Sequence, residues 1–224
     1  MQGSASNTGN FETFRVQYIA GNVVAFTTNK MRFYGANAGD DSGIGSSQKV
    51  VLQRVPNYQN LTLNGTLTAN GWDGTRYGLV AFKVAGSWIG SGNIDVNARG
   101  YRGGTAATYS AKQGESWPGL GATNGDAPNG GGGAGRNDGS AGCPGGNGNY
   151  ASASVQGAYS HACGTLNGNM YGDQTLNRIM LGSGGGGRGS GNGGIGGGAV
   201  YVKAKTISFS GSVRANGQNI TNGT

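Results

Sequence analysis

The sequence predicts an all-β fold with little or no α-helix: short parallel β-solenoid-like strands joined to a glycine-rich layer of polyglycine II rods. Three observations point there. Glycine supplies 50 of the 224 residues, and 29 of those 50 fall between Gly119 and Gly198, a density several times the ~7% usual for globular chains. An eleven-residue pattern of alternating apolar positions around an internal glycine recurs along the chain. Charged residues make up only 11% and apolar ones 35%, so the solvent face must be built from Asn, Ser, Thr, Gln and Gly. Ordinary disorder combines low hydrophobicity with high net charge, and this chain lacks the second ingredient.

Residues 1–55 read as an N-terminal β part. Phe11–Ile19 and Val23–Thr28 alternate apolar and polar residues about Ala20-Gly21-Asn22, which gives a hairpin. Gly35–Ser47 is a turn-rich loop, in which the adjacent Asp40 and Asp41 serve turn chemistry. Lys49–Val55 reads as a further strand, stopped at Pro56 because proline has no N–H to give to a ladder.

Residues 56–224 form the second unit. Leu61-Thr-Leu-Asn-Gly65-Thr-Leu-Thr-Ala-Asn-Gly71 aligns without gaps on Ile207-Ser-Phe-Ser-Gly211-Ser-Val-Arg-Ala-Asn-Gly217, and Trp88-Ile-Gly-Ser-Gly92-Asn-Ile-Asp-Val-Asn-Ala98 is a weaker third copy. Strand, kink and strand is what one coil of a parallel β-solenoid needs. Stacked coils would set Leu61, Trp88 and Ile207 in one interior ladder and Leu67, Ile94 and Val213 in another. Strands at Leu79–Val84 and Ala199–Lys205 lead into two of the copies, with Phe82, Trp88, Trp72 and Tyr201 read as core.

A glycine-rich insertion of about 100–198 separates two of the copies. So long a stretch without strands fits a compact domain only if it has order of its own. Polyglycine II supplies it: a three-residue-per-turn helix of the polyproline II type, with no internal hydrogen bonds. Its rods satisfy their N–H and C=O groups from neighbouring rods, and only glycine lets the backbones approach. Collagen would need glycine at every third position, which Gly193-Gly-Ile-Gly-Gly-Gly198 breaks. A flexible linker would not carry the interspersed Tyr, Trp, Leu and Cys. Cys143 and Cys163, 20 residues apart, read as a disulfide worth about 3 kcal/mol in an oxidising compartment, or else as two free thiols.

Catalytic chemistry finds little to work with. A hydrolase needs clustered acids or a nucleophile beside a base, yet Glu12, Asp73, Asp95, Glu115, Asp126, Asp138 and Asp173 are scattered. His161, Cys163 and Cys143 give at most three metal ligands without the usual spacing. No Gly-Lys-Ser/Thr follows the glycine runs, so no nucleotide site is expected. Neither a cofactor nor a metal is expected, and the chain is read as a non-enzyme. The net charge of +7 and pI near 9.6 suit nucleic acid, an anionic polysaccharide, lipopolysaccharide phosphates or an acidic membrane face, or else simply keep a polar fold soluble. The basic residues are dispersed, which argues against nucleic acid. No run of 18 apolar residues exists to cross a membrane. Sequons at Asn60, Asn64, Asn219 and Asn222 are expected by chance in an Asn/Thr-rich chain. Met1-Gln-Gly-Ser-Ala-Ser lacks the basic start and apolar run of a signal peptide, which leaves a fragment of a longer protein or release by another route such as lysis.

A binding surface remains. The segments between glycine runs carry Tyr109, Trp117, Arg136, Tyr150, Tyr159, His161 and Tyr171, along with Tyr101 and Arg102. Aromatic faces stack on sugars or grip protein side chains, and arginine forks onto carboxylate or phosphate. The alternative is that these rings wedge between glycine rods as spacers.

Val55-Pro-Asn-Tyr58, Leu67-Thr-Ala-Asn-Gly-Trp72-Asp-Gly74, Leu79-Val-Ala-Phe-Lys-Val-Ala-Gly86, Gly100-Tyr-Arg-Gly-Gly104, Tyr171-Gly-Asp173, Leu181-Gly-Ser-Gly-Gly-Gly-Gly187 and Val200-Tyr-Val-Lys-Ala-Lys-Thr-Ile-Ser208 together resemble a recurrent group of glycine-rich bacterial surface proteins. The group has no settled biochemical role, and its members begin well upstream of this chain's start. The glycine-rich middle also resembles the receptor-binding adhesins at the tips of long tail fibres in T-even-like phages, though the β-rich N-terminal half is unlike their attachment domain. These resemblances imply a glycine-rich scaffold that displays recognition loops. The expectation is an extracellular, cell-surface or tail-fibre adhesin that binds a surface glycan or protein of a host, prey or neighbouring cell. Neither nucleic acid nor membrane insertion is expected, and a homo-oligomer such as a trimeric fibre would be its assembly. The competing expectations are a structural subunit of a fibre, sheath or matrix, and a β-helix polysaccharide-degrading enzyme.

Overall fold

Three copies of one sequence pattern lie on top of one another. The computed structural model describes residues 7–45, 48–106, 112–121, 132–133, 171–172, 175, 177–187 and 191–220. Among them the chain is all-β, with nine strands and no helix: β1 (Val16–Ala20), β2 (Val23–Phe26), β3 (Asn57–Tyr58), β4 (Leu61–Thr62), β5 (Thr66–Leu67), β6 (Leu79–Gly90), β7 (Asn93–Asp95), β8 (Ala199–Phe209) and β9 (Ser212–Arg214).

β1 and β2 form an antiparallel hairpin around Gly21-Asn22, as the alternation predicts. The other strands pair in parallel. β3 and β4 lie along one edge of β6 and β8 along the other, while β5, β7 and β9 make a second, narrower sheet. Leu61 pairs with Trp88 and Trp88 with Ile207; Leu67 pairs with Ile94 and Ile94 with Val213. The register is the one the sequence repeat implies.

Among the described residues the middle copy alone has a layer on each side, and it carries the core. Val80, Phe82, Val84, Trp88, Ile94 and Val96 are buried, with Leu61, Leu63, Leu67 and Ala69 packed against them from one flank and Val200, Val202, Ala204 and Phe209 from the other. Trp88 stacks on Phe209 (4.5 Å, 22°) and meets Phe82 edge-on (5.5 Å, 88°). The third rung departs from expectation: Ile207 is 57% and Val213 52% exposed. No layer follows theirs among the described residues, and Phe209 rather than Ile207 closes over the indole.

The expected strand at Lys49–Val55 does not form. Those residues run unpaired, with Leu52 70% exposed. Pro56 interrupts the chain just before register with β6 begins, so the segment docks through single bonds, from Lys83 N to Pro56 O and from the Gln53 amide to Leu79 O. The N-terminal part lies against β6 and β8. The Phe11 ring meets Tyr201 edge-on at 5.2 Å, and Lys83 Nζ donates to Thr13 Oγ1 at 2.7 Å.

The glycine segments are extended but not strands. Tyr101 N and Gly104 N donate to Gly182 O and Gly185 O; Gly182 N and Gly185 N donate to Gly197 O and Gly194 O; Gly184 N and Gly187 N donate to Glu115 O and Lys112 O; Gly193 N and Gly196 N return to Gly104 O and Tyr101 O, all at 2.8–2.9 Å. Donors aimed at one neighbour recur every third residue. In a β-strand they would recur every second residue, toward two neighbours in one plane. Residues 182–187 instead bond to segments 100–104, 112–115 and 193–197, and to Gly133. A Cβ on Gly103, Gly114, Gly184, Gly193 or Gly196 would overlap the carbonyl oxygen of a neighbouring segment.

Candidate recognition tip

Where segment 112–115 ends, the chain reverses in a tight loop. Ser116 N and Gly119 O, and Gly119 N and Ser116 O, bond reciprocally at 3.2 and 2.8 Å, and Gly119 takes a φ of +107°. Trp117 is half-buried at this tip and Leu120, next along, is 67% exposed. Ser116 is fully buried and Gln113 nearly so. An apolar pair therefore stands on a buried, hydrogen-bonded base.

Glu115 ties that base together. Its side chain is 3% exposed, and each carboxylate oxygen accepts two donors. Oε1 takes Trp72 Nε1 and Arg102 Nη2, both at 3.1 Å; Oε2 takes Arg102 Nε at 2.8 Å and Arg102 N at 3.1 Å. Its main chain is tied in as well, N to Arg102 O and O from Gly184 N. Burial pushes the Glu115 carboxyl up, but the Arg102 fork, the Trp72 indole and the Arg102 amide outweigh it and hold the group below 4.5. The Glu115 side chain further lifts the Arg102 guanidinium. Tyr101 packs edge-on against Trp72 at 5.6 Å, and burial together with the Glu115 charge raises its phenol. Gly74 completes the joint: at φ +100° it passes beneath the guanidinium, where a Cβ would come within 2.7 Å of Arg102 Nη2. The clamp ties the stacked strands, through Trp72, to two glycine segments.

This clamp leaves no lone pair on Glu115 free to take a proton from a substrate. Each of the other described acids accepts at least one hydrogen bond. Asp73 Oδ1 accepts from Thr75 N, Thr75 Oγ1 and Arg76 N, which draws its pKa down to about 2. Asp40 caps Ser42, Asp41 pairs with Lys30 at 2.5 Å, and Asp95 accepts from Asn97 N. Burial raises the Glu12 carboxyl, yet donors from Met31 N, Arg32 N and the Tyr34 hydroxyl bring it below its ordinary value.

Of the residues singled out for binding, Trp117 stands at the tip. Tyr171 is half-buried, and its hydroxyl donates to Leu181 O at the head of a glycine segment, so the ring anchors scaffold. Tyr109, Arg136, Tyr150, Tyr159 and His161, and the pair Cys143 and Cys163, lie outside the described residues. Tyr101 and Arg102 belong to the clamp rather than to a loop. Sequence reasoning missed Glu115 as their partner; the available signal was a single acid between Asp95 and Asp126 in a region holding Arg99, Arg102 and Lys112. No family model, curated protein or solved structure matches this chain.

Proposed function

We propose that this protein is an extracellular, non-catalytic adhesin or fibre-tip domain that binds a cell-surface glycan or surface protein through segments displayed on a glycine scaffold. The fold behind that reading is a short β-solenoid joined to a polyglycine II layer. Its supports are the three in-register copies and the three-residue period of the lateral hydrogen bonds. The observation that carries the function is the Trp117–Leu120 tip, an apolar contact pair held on a clamped base. Loops fixed by a rigid scaffold are the usual seat of recognition, and large aromatic rings dominate contact energies. At the tip, the fully bonded Glu115 carboxylate favours a binding role over a catalytic one.

Trp117→Ala combined with Leu120→Ala tests it. Adhesion of the purified chain to target cells, or retention on a glycan array, falls at least tenfold by the ~1.4 kcal/mol-per-decade relation, while the melting temperature stays that of the parent. Unchanged binding would remove the tip from the contact surface.

A second reading, a structural subunit of a fibre, sheath or matrix, is favoured by one observation. The last layer of the stack, β8 and β9, has its outer edge unpaired among the described residues and exposes Ile207 and Val213 there. Electron microscopy of the purified chain separates the two: filaments without cell binding support the structural role.

A further inference from the structure

The geometry points to a second binding site on the outer face of the larger sheet, for a polyanionic glycan chain. Lys83 and Lys203 are direct partners in the parallel pair β6–β8, so their side chains leave the same face of the sheet, opposite the buried Phe82 and Val84. Lys205, exposed two residues on, lies beside that rung where the register between β6 and β8 shifts. Neighbouring strands lie ~4.8 Å apart, inside the ~8 Å over which salt screens charge. Like charges set directly opposite one another destabilise a sheet. Among the described residues no acid relieves them: the ion pairs there are Lys30–Asp41, Arg76–Asp73 and Arg102–Glu115.

Edge protection explains only part of this. Lysines on an unpaired edge discourage a foreign strand from adding to it, and among the described residues β8 is such an edge. Lys83, however, lies on β6, the central strand of the sheet, where no edge needs guarding. A bound anion resolves the conflict by lying between the two ammonium groups.

The surroundings favour a sugar polymer over nucleic acid. The rung runs Asn57–Lys83–Lys203 across three strands, and the Thr13 hydroxyl sits on Lys83. An amide and a hydroxyl beside the charges suit sugar hydroxyls. Single-stranded nucleic acid needs an open aromatic platform for its bases; the ring on this face, Tyr201, is already taken by the edge of Phe11. Arg15, two residues beyond Thr13, is also exposed.

The test uses the full chain on immobilised heparin (sulfate and carboxylate groups), polygalacturonate (carboxylate groups alone), neutral dextran and a DNA duplex. The parent binds one or both charged polysaccharides and not dextran, and the two charged surfaces tell which anionic group is preferred. Lys203→Gln with Lys205→Gln weakens that binding about tenfold and flattens its salt dependence. Arg76→Gln with Arg214→Gln, which removes the same charge elsewhere, does not. In low salt without ligand, the Lys203/Lys205 variant melts no lower than the parent, since the repulsion is relieved. Equal losses in both variants would reduce the effect to net charge and overturn the site. So would absence of binding to either polysaccharide, or lysine-dependent binding to DNA as tight as to the polysaccharides.

Discussion

Gly184→Ala destabilises the protein by about 3 kcal/mol or more, the upper range for overpacking a close-packed site, and lowers its melting temperature by roughly 6–12 °C. The added methyl group would land on the carbonyl of Arg102, the residue whose side chain grips Glu115. Backbone cannot rotate aside as a flexible side chain can. Segments 100–104 and 182–187 must separate, and the bonds from Tyr101 N to Gly182 O and from Gly104 N to Gly185 O stretch with them. Gly65→Ala is the internal control, because a methyl group there meets nothing within 4 Å. It leaves stability unchanged or raises it by up to ~1 kcal/mol through the unfolded chain. Thermal unfolding followed by circular dichroism reads both variants, and equal melting temperatures would deny that the glycines are selected for close approach.

Glu115→Gln is the second large effect. The amide keeps the shape of the side chain but replaces one acceptor oxygen with a donor that faces donors. Breaking a buried ion pair from one side costs ~3–5 kcal/mol. Arg102 keeps part of its guanidinium in water, with 39% side-chain exposure, so solvent screening brings the cost to the bottom of that range or just below it, about 2–3 kcal/mol. The pH dependence has a definite sign. The folded Glu115 pKa lies below 4.5, so the unfolded state binds the proton more readily. The clamp's contribution is present above 4.5 and disappears as pH falls through the folded value. Denaturant unfolding at stepped pH therefore shows parent and variant far apart at neutral pH and converging in acid. A constant gap would mean that the charge is not what Glu115 supplies.

Part of this architecture is written in local sequence. The pairing of Leu61 with Trp88 and of Ile94 with Val213 follows from alternation and from the matched glycines at 65, 92 and 211. Stacked copies must superpose like with like. What alternation does not encode is whether a neighbour exists. Lys49–Val55 has strand-forming residues but finds no register with β6, and Ile207 has the right position yet, among the described residues, no layer above it. The glycine segments were legible from composition, because only close backbone approach accounts for so many glycines among aromatics. The clamp was not. Glu115 lies 13 residues from Arg102 and 43 from Trp72, and their meeting depends on the lateral register of segments whose sequences look interchangeable. Trp117 could be singled out as an aromatic between glycine runs, whereas its exposed neighbour Leu120 had no pattern to mark it.

Amide hydrogen exchange by NMR tests the central claim, that laterally bonded main chains make the glycine segments a rigid platform. The account predicts slow exchange at Gly182, Gly184, Gly185, Gly187, Gly193 and Gly196, whose N–H groups each reach a carbonyl of another segment, with protection comparable to that of β6. Exchange of these six amides at the rate of an unfolded chain, while β6 stays protected, would contradict it.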